Sequence, residues 1–82
     1  MAYEVALDDH ALRQERALPP EARSILAGAL LELAADPHAG KRYDTRHPPE
    51  LRTMAFGDWG LLVYLIRERQ KRVIVLDLTW AA

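Results

Sequence analysis

Cysteine is absent from this sequence, which excludes disulfides and thiolate metal sites as sources of stability or chemistry. A cytoplasmic location is the simple expectation. Long apolar runs are also missing. The longest, Leu61 to Ile66 and Val73 to Leu76, fall far short of the roughly 20 residues that cross a bilayer, so no membrane association is expected. The first residues contain no basic segment followed by an apolar stretch, so no signal peptide is expected. There is no surplus of one charge: 11 Lys and Arg face 12 Asp and Glu, for a net charge of −1 and a pI of about 6.3. A free-standing nucleic-acid binder usually carries a strong basic excess. Any such contact here must rest on locally concentrated charge. Repeats and low-complexity tracts are lacking. No set of histidines and carboxylates has metal-ligand spacing, and no cofactor is expected.

Apolar residues are plentiful, at 50% of 82. That suffices for one core, near the lower size limit for a fold held without staples. Residues 1–82 read as one domain. Tyr3, Val5 and Leu7 alternate with Ala2, Glu4 and Ala6, the pattern of a half-buried strand. Asp8 and Asp9 suit the start of a helix over His10 to Ala17, and Leu18-Pro19-Pro20 ends it. Pro20 opens a second helix. Its Ala22, Ile25, Leu26, Ala29, Leu30 and Leu33 share one face, and Asp36-Pro37 stops it. Gly28 lies mid-helix at a cost of about 1 kcal/mol relative to alanine, which a close approach to the first helix or the sheet would explain. Leu31 falls outside the main stripe, beside Ala27 and Ala35.

His38 to Glu50 carries Gly40, Pro48 and Pro49 and reads as a long, charge-rich loop. Three strands follow: Leu51 to Phe56, Leu61 to Ile66 and Arg72 to Thr79. The middle one is apolar on both faces and belongs at the sheet centre. Arg67 to Lys71 is a charged hairpin connection. On the last strand Ile74, Leu76, Leu78 and Trp80 fall on one face, and Val73, Val75, Asp77 and Thr79 on the other. The order βααβββ indicates an α+β domain, with a helical hairpin packed on a mainly antiparallel four-stranded sheet.

Several short motifs occur in a telling order. They are Met1-Ala2-Tyr3-Glu4-Val5; Ala11-Leu12-Arg13 with Leu18-Pro19-Pro20-Glu21-Ala22-Arg23; Leu33-Ala34-Ala35-Asp36-Pro37; then Leu51-Arg52, Gly57-Asp58 and Val63-Tyr64. Together they resemble the RelE/ParE superfamily of small bacterial toxins over nearly the whole chain. The resemblance implies the toxin, or a toxin-derived component, of a bacterial toxin–antitoxin module, with an antitoxin protein as partner. RelE-type members inhibit translation by cutting messenger RNA in the ribosomal decoding site without a metal. Basic side chains stabilise the phosphate and leaving group while the 2′-hydroxyl attacks. ParE-type members inhibit DNA gyrase and are not nucleases. Fold alone does not choose between them.

For RelE-type chemistry the resemblance implies basic residues on the strand from Leu51, an arginine opening the strand from Leu61, and an arginine and a tyrosine in a C-terminal tail. Arg52 matches the first basic position. Met54 stands at the second and Leu61 at the strand arginine, where Gly60 leaves the register open by one residue. No arginine or tyrosine follows Trp80 in the sequence through Ala82. Three expectations follow. One is a metal-independent messenger-RNA endoribonuclease acting at the ribosome. Another is a non-catalytic protein of this fold that binds an antitoxin or a gyrase-like target. The third is a stand-alone, self-associating structural protein.

Arg52 is the leading catalytic candidate, as a ligand for the scissile phosphate or the charge developing on it. The alternative is a solvent-facing strand arginine paired with Glu50 or Asp77. Lys41, Arg42 and Arg46, with Tyr43 interleaved, suit an RNA backbone and a stacked base. The alternative is an ordinary solvated loop, in which only Asp44 interrupts the positive charge. His47 can serve as general acid or base because an unperturbed imidazole changes charge near neutrality, or it can simply be exposed before Pro48-Pro49. His10 and His38 stand isolated and receive no role. Asp58 reads as turn chemistry. Trp59 is expected to be partly exposed, and Trp80 to pack in the core. Leu31 is expected to contact an antitoxin, a second copy or the first helix.

Overall fold

The computed structural model describes residues 2–82; Met1, first in the opening motif, lies outside them. Strand β1 (Glu4–Leu7) leads into helix α1 (Asp9–Ala17), where the Asp8 carboxylate accepts the Ala11 N–H at 2.9 Å. This N-cap satisfies one of the donors a helix start leaves free. Leu18 is extended before the two prolines and ends α1. Helix α2 (Pro20–Ala35) opens on a proline whose missing N–H is no loss there. It ends at Asp36, whose carboxylate accepts the His38 N–H at 3.1 Å and starts a 3-10 turn, Pro37–Ala39. Strands β2 (Lys41–Arg42), β3 (Leu51–Phe56), β4 (Gly60–Arg67) and β5 (Arg72–Trp80) follow.

The sheet order is β1-β5-β4-β3-β2. Only β1 and β5 run parallel. The central place of β4 agrees with its two apolar faces. The sheet has five strands rather than four. The extra one, β2, pairs Lys41 with Thr53 and Arg42 with Arg52, so the start of the expected loop is an edge strand. Two residues carry too little periodicity to reveal it.

Leu62, Tyr64 and Ile66 point from β4 into the core. There they meet Ala11 and Leu18 from the α1 region, Ala22, Leu26, Ala29 and Leu33 of α2, Phe56, and Val73, Val75 and Leu78 of β5. The face carrying Leu61, Val63 and Leu65 is less covered, and Leu61 is 45% exposed.

The last strand departs from simple alternation. Val63 faces Asp77 and Tyr64 faces Val75, so Leu76 is an extra residue without a partner. This bulge reverses the side-chain phase. Val73 and Val75 before it and Leu78 after it are buried together, and Trp80 stacks on Phe56 at 5.6 Å. Ile74, Leu76, Leu78 and Trp80 therefore do not form one face, although Trp80 packs on the core as expected. Beyond Leu7, β1 no longer covers the β5 edge. Gln14 of α1 does so: its Oε1 accepts the Leu78 N–H at 2.7 Å, and its Nε2 donates to Asp77 at 2.9 Å.

Tyr64 fastens the turn after α2 to the sheet. It is fully buried, and its hydroxyl donates to the Pro37 carbonyl at 2.5 Å. Burial raises its pKa, favouring the neutral donor. Gly40 crosses directly above. A Cβ there would collide with the Tyr64 hydroxyl and the Thr53 carbonyl, so the close approach requires glycine. Gly28 differs: a Cβ there meets nothing within 4 Å, so no close approach explains it. Leu31 is 74% exposed and is not buried against α1.

Two stability changes follow, both read as shifts in urea unfolding. Gly28→Ala should stabilise by about 1 kcal/mol, because helix propensity improves and nothing is displaced. Tyr64→Phe should destabilise by about 1–3 kcal/mol, because the buried Pro37 carbonyl loses its donor.

Candidate functional site

Alternation along β3 puts Arg52, Met54 and Phe56 on the helix side, opposite Tyr64, Leu62 and Gly60 of β4. Met54 packs against the core. Arg52, nearer the start of β3, lies under the segment following α2. It is half-buried, and its Nη1 donates to the Gly40 carbonyl at 2.9 Å. Its Nε is buried without a partner among the described residues. Among the described residues Arg52 forms no ion pair. It is therefore not a solvent-facing arginine paired with Glu50 or Asp77; Asp77 is instead engaged by Gln14 and by His10, 3.0 Å away. Leu61 faces Ala55 on the opposite side of the sheet, so positions 52 and 61 do not converge.

Arg52 lines a cleft of about 100 Å³ with His38, Pro49, Glu50, Ile66 and Glu68. A larger cleft of about 400 Å³ shares Glu50, Ile66 and Glu68 with it and extends to Pro48, Leu65, Arg67, Arg69 and Gln70. His38, assigned no role from the sequence, reaches the first cleft from the turn pinned by Tyr64. Its Nε2 lies 2.5 Å from Glu68 Oε1. The Tyr3 hydroxyl donates to the other Glu68 oxygen at 2.9 Å. Lys71 Nζ lies 3.9 Å from that oxygen and 5.2 Å from the Tyr3 ring centre. The Tyr3 hydrogen bond, with help from His38, holds the Glu68 carboxyl below its ordinary value. His38 and Glu68 are thirty residues apart, so no local pattern could have paired them.

The basic segment is an ordered turn built on Asp44. One Asp44 oxygen accepts the Arg46 N–H at 3.0 Å and the His47 N–H at 2.8 Å, and lies 2.7 Å from His47 Nδ1. The His47 ring stands edge-on to Tyr43 at 5.1 Å. Arg42 donates to the His47 carbonyl at 2.9 Å. The hydrogen bond from the His47 side chain is the main reason the Asp44 carboxyl titrates low. Lys41, Arg42, Tyr43, Arg46 and His47 are all exposed. The fold gathers them along β2 and its turn, just before Pro48 and Pro49 of the clefts. None of the five lines the Arg52 cleft. Trp59 is 59% exposed, as expected. Among the described residues no three His, Asp or Glu side chains are placed to hold a metal ion, and no helix is long and apolar enough to cross a membrane.

No family model and no curated protein matches the chain. Solved structures do. The isolated RelE toxin of E. coli superposes with a TM-score of 0.82 at 26% identity, over 99% of this chain and 86% of that one. A chain of the intact E. coli RelBE toxin–antitoxin complex gives 0.80 at 25%, over 99% of both chains. A chain of the RelBE2 toxin–antitoxin complex of Mycobacterium tuberculosis gives 0.82 at 22%, over 98% and 99%; at that identity the likeness is one of fold.

Asp44 and Glu68 both titrate below their ordinary values of 3.8 and 4.5. Their contribution to stability is complete above those values and is lost as pH falls through the lower folded ones. The urea midpoint should therefore drop between pH 5 and pH 3 (approximate bounds set by carboxylate titration). The double variant Asp44→Asn, Glu68→Gln should lose less over the same interval. An equal loss would show that these two carboxylates carry none of it.

Proposed function

We propose that this chain, which belongs to the RelE/ParE superfamily, is the toxin or a toxin-derived component of a bacterial toxin–antitoxin module. Its partner is an antitoxin protein. The likeness to a chain of the intact E. coli RelBE toxin–antitoxin complex supports this reading. Its chemistry is metal-independent cleavage of messenger RNA at the ribosome.

The observation that carries the chemical reading is Arg52. It is a half-buried guanidinium in a cleft, and among the described residues it has no carboxylate partner and only Nη1 is engaged. An arginine fork in that state suits a phosphate oxygen. Lys41, Arg42 and Arg46 lie on the neighbouring edge free of ion pairs among the described residues, where they would follow an RNA backbone. Tyr43 is exposed for a base to stack on. His47, bonded to Asp44, lies in the same surface turn and lines neither cleft.

A second reading is a non-catalytic protein that binds an antitoxin or a gyrase-like target. Met54 packed against the core and Leu61 on the opposite face favour it, because neither adds a cation beside Arg52.

The test is induced expression in bacteria, with messenger-RNA cleavage mapped on ribosomes. The parent should arrest growth and cleave. Arg52→Ala should cleave about 10²–10³-fold more slowly, the usual loss when a transition-state charge ligand is removed, and should relieve the arrest. Arrest by both proteins without cleavage would establish the binding reading instead.

A further inference from the structure

We propose that His38 is the acid–base residue of this site, that Glu68 positions it, and that the scissile phosphate lies between His38 and Arg52. The proposal rests on the RNA-cleaving reading above and moves its proton-transfer step away from His47.

The argument begins with the two ring nitrogens. Glu68 is an ionised carboxylate that only accepts hydrogen bonds. His38 Nε2, 2.5 Å from it, must therefore carry the proton. In the neutral ring the lone pair then resides on Nδ1. The nearest carboxylate oxygen to Nδ1, on Asp36, is 3.9 Å away, beyond hydrogen-bond reach. Nδ1 is thus available as a base. Glu68 cannot swing freely, because Tyr3 holds its second oxygen. A carboxylate that fixes one ring nitrogen while the other faces a reacting group is a general way to orient an imidazole and stabilise its cation.

His47 lacks this arrangement. Its Nδ1 faces Asp44 in a surface turn, and its ring abuts Tyr43. It lines neither the cleft of Arg52 nor the one that adjoins it.

The clefts fit the substrate. About 100 Å³ beside His38 and Arg52 takes a phosphate but not a nucleoside. The adjoining 400 Å³, floored by Leu65 and Ile66, has room for a base and sugar. Arg67 and Arg69 at its wall have no carboxylate partner among the described residues. With Arg52 they outnumber Glu50 and Glu68, the two carboxylates that line both clefts.

The step balances within the RNA. His38 Nδ1 takes the 2′-hydroxyl proton as O2′ bonds to phosphorus. The bond from phosphorus to O5′ breaks, and the imidazolium returns the proton through a water to the departing O5′. The products are a 2′,3′-cyclic phosphate and a 5′-hydroxyl. Arg52 stabilises the charge on the phosphoryl oxygens as it develops.

The test uses the purified chain with 70S ribosomes programmed with a defined messenger RNA. His38→Gln should slow cleavage about 10²–10⁴-fold while ribosome binding and melting temperature stay near parental. His47→Gln should cleave at nearly the parental rate. Glu68→Gln should shift the acid limb of the pH–rate profile to lower pH, because the imidazole loses the carboxylate that favours its cation. A merely structural tether would not move that limb. Parental cleavage by His38→Gln overturns the assignment and leaves the RNA-cleaving reading intact. A folded parent that cleaves nothing overturns both. If His38→Gln fails to fold, the Glu68→Gln profile decides, and an unmoved limb overturns the proposal.

Discussion

The buried hydroxyl of Tyr64 fixes more of this molecule than any other single group. It projects from the central strand β4 and donates to the Pro37 carbonyl, so the chain leaving α2 is held onto the sheet. That tether has consequences on both sides. Gly40 must pass where a Cβ would collide with the same hydroxyl, and its carbonyl then becomes the acceptor for Arg52. Lys41 and Arg42 continue as the edge strand β2. His38, between Pro37 and Gly40, is delivered beside Glu68 of the β4–β5 hairpin. A tyrosine paired across the sheet from Arg52 thus sets the surroundings of that arginine through backbone it does not itself contain.

Much of the fold was legible because burial imposes a period. Alternation revealed β1, helical spacing revealed α2, and an apolar run on both faces put β4 at the centre, where it lies. The ordered motifs suggested a family fold that the RelE structures match. What escaped had no local period to show. β2 is two residues long. The bulge at Leu76 is one residue, yet it reverses the faces of everything after it. The site divided in the same way. Arg52 could be singled out from its neighbours in sequence, but its Gly40 acceptor and the cleft it shares with His38 and Glu68 arise from distant segments. Those pairings are products of topology, and the stretch from His38 to Glu50 that carries half of them read as a loop.

Near-neutral charge argued against nucleic acid at first sight. The structure changes that weighing, because many of its carboxylates are locally engaged. Asp8, Asp36 and Asp44 accept backbone N–H groups. Asp77 serves α1, Glu68 serves Tyr3 and His38, and Glu4 faces Arg72 at 3.0 Å. Lys41, Arg42, Arg46, Arg52, Arg67 and Arg69 make no ion pairs among the described residues. Through-water interactions fade over a Debye length of about 8 Å at physiological salt. A phosphate therefore responds to the charges close to it far more than to the chain's total. A neutral protein can present a basic edge when most of its acids lie elsewhere, and within the Lys41 to His47 segment only Asp44 opposes Lys41, Arg42 and Arg46.

The energetics of Arg52 bear on whether the site has work to do. A buried donor without a partner costs roughly 1–3 kcal/mol, and Arg52 Nε is such a donor. Its neighbour on the same face of β3, Met54, packs against the core at no such penalty. An apolar side chain at position 52 would extend that packing, so the fold does not require a guanidinium there. The guanidinium is served best where acceptors reach its unengaged nitrogens. Gly40 supplies one, and a phosphate in the adjoining cleft would supply more. The unsatisfied donor therefore belongs to a side chain that also lines an open cleft. A core built for stability alone would have no reason to bring the two together.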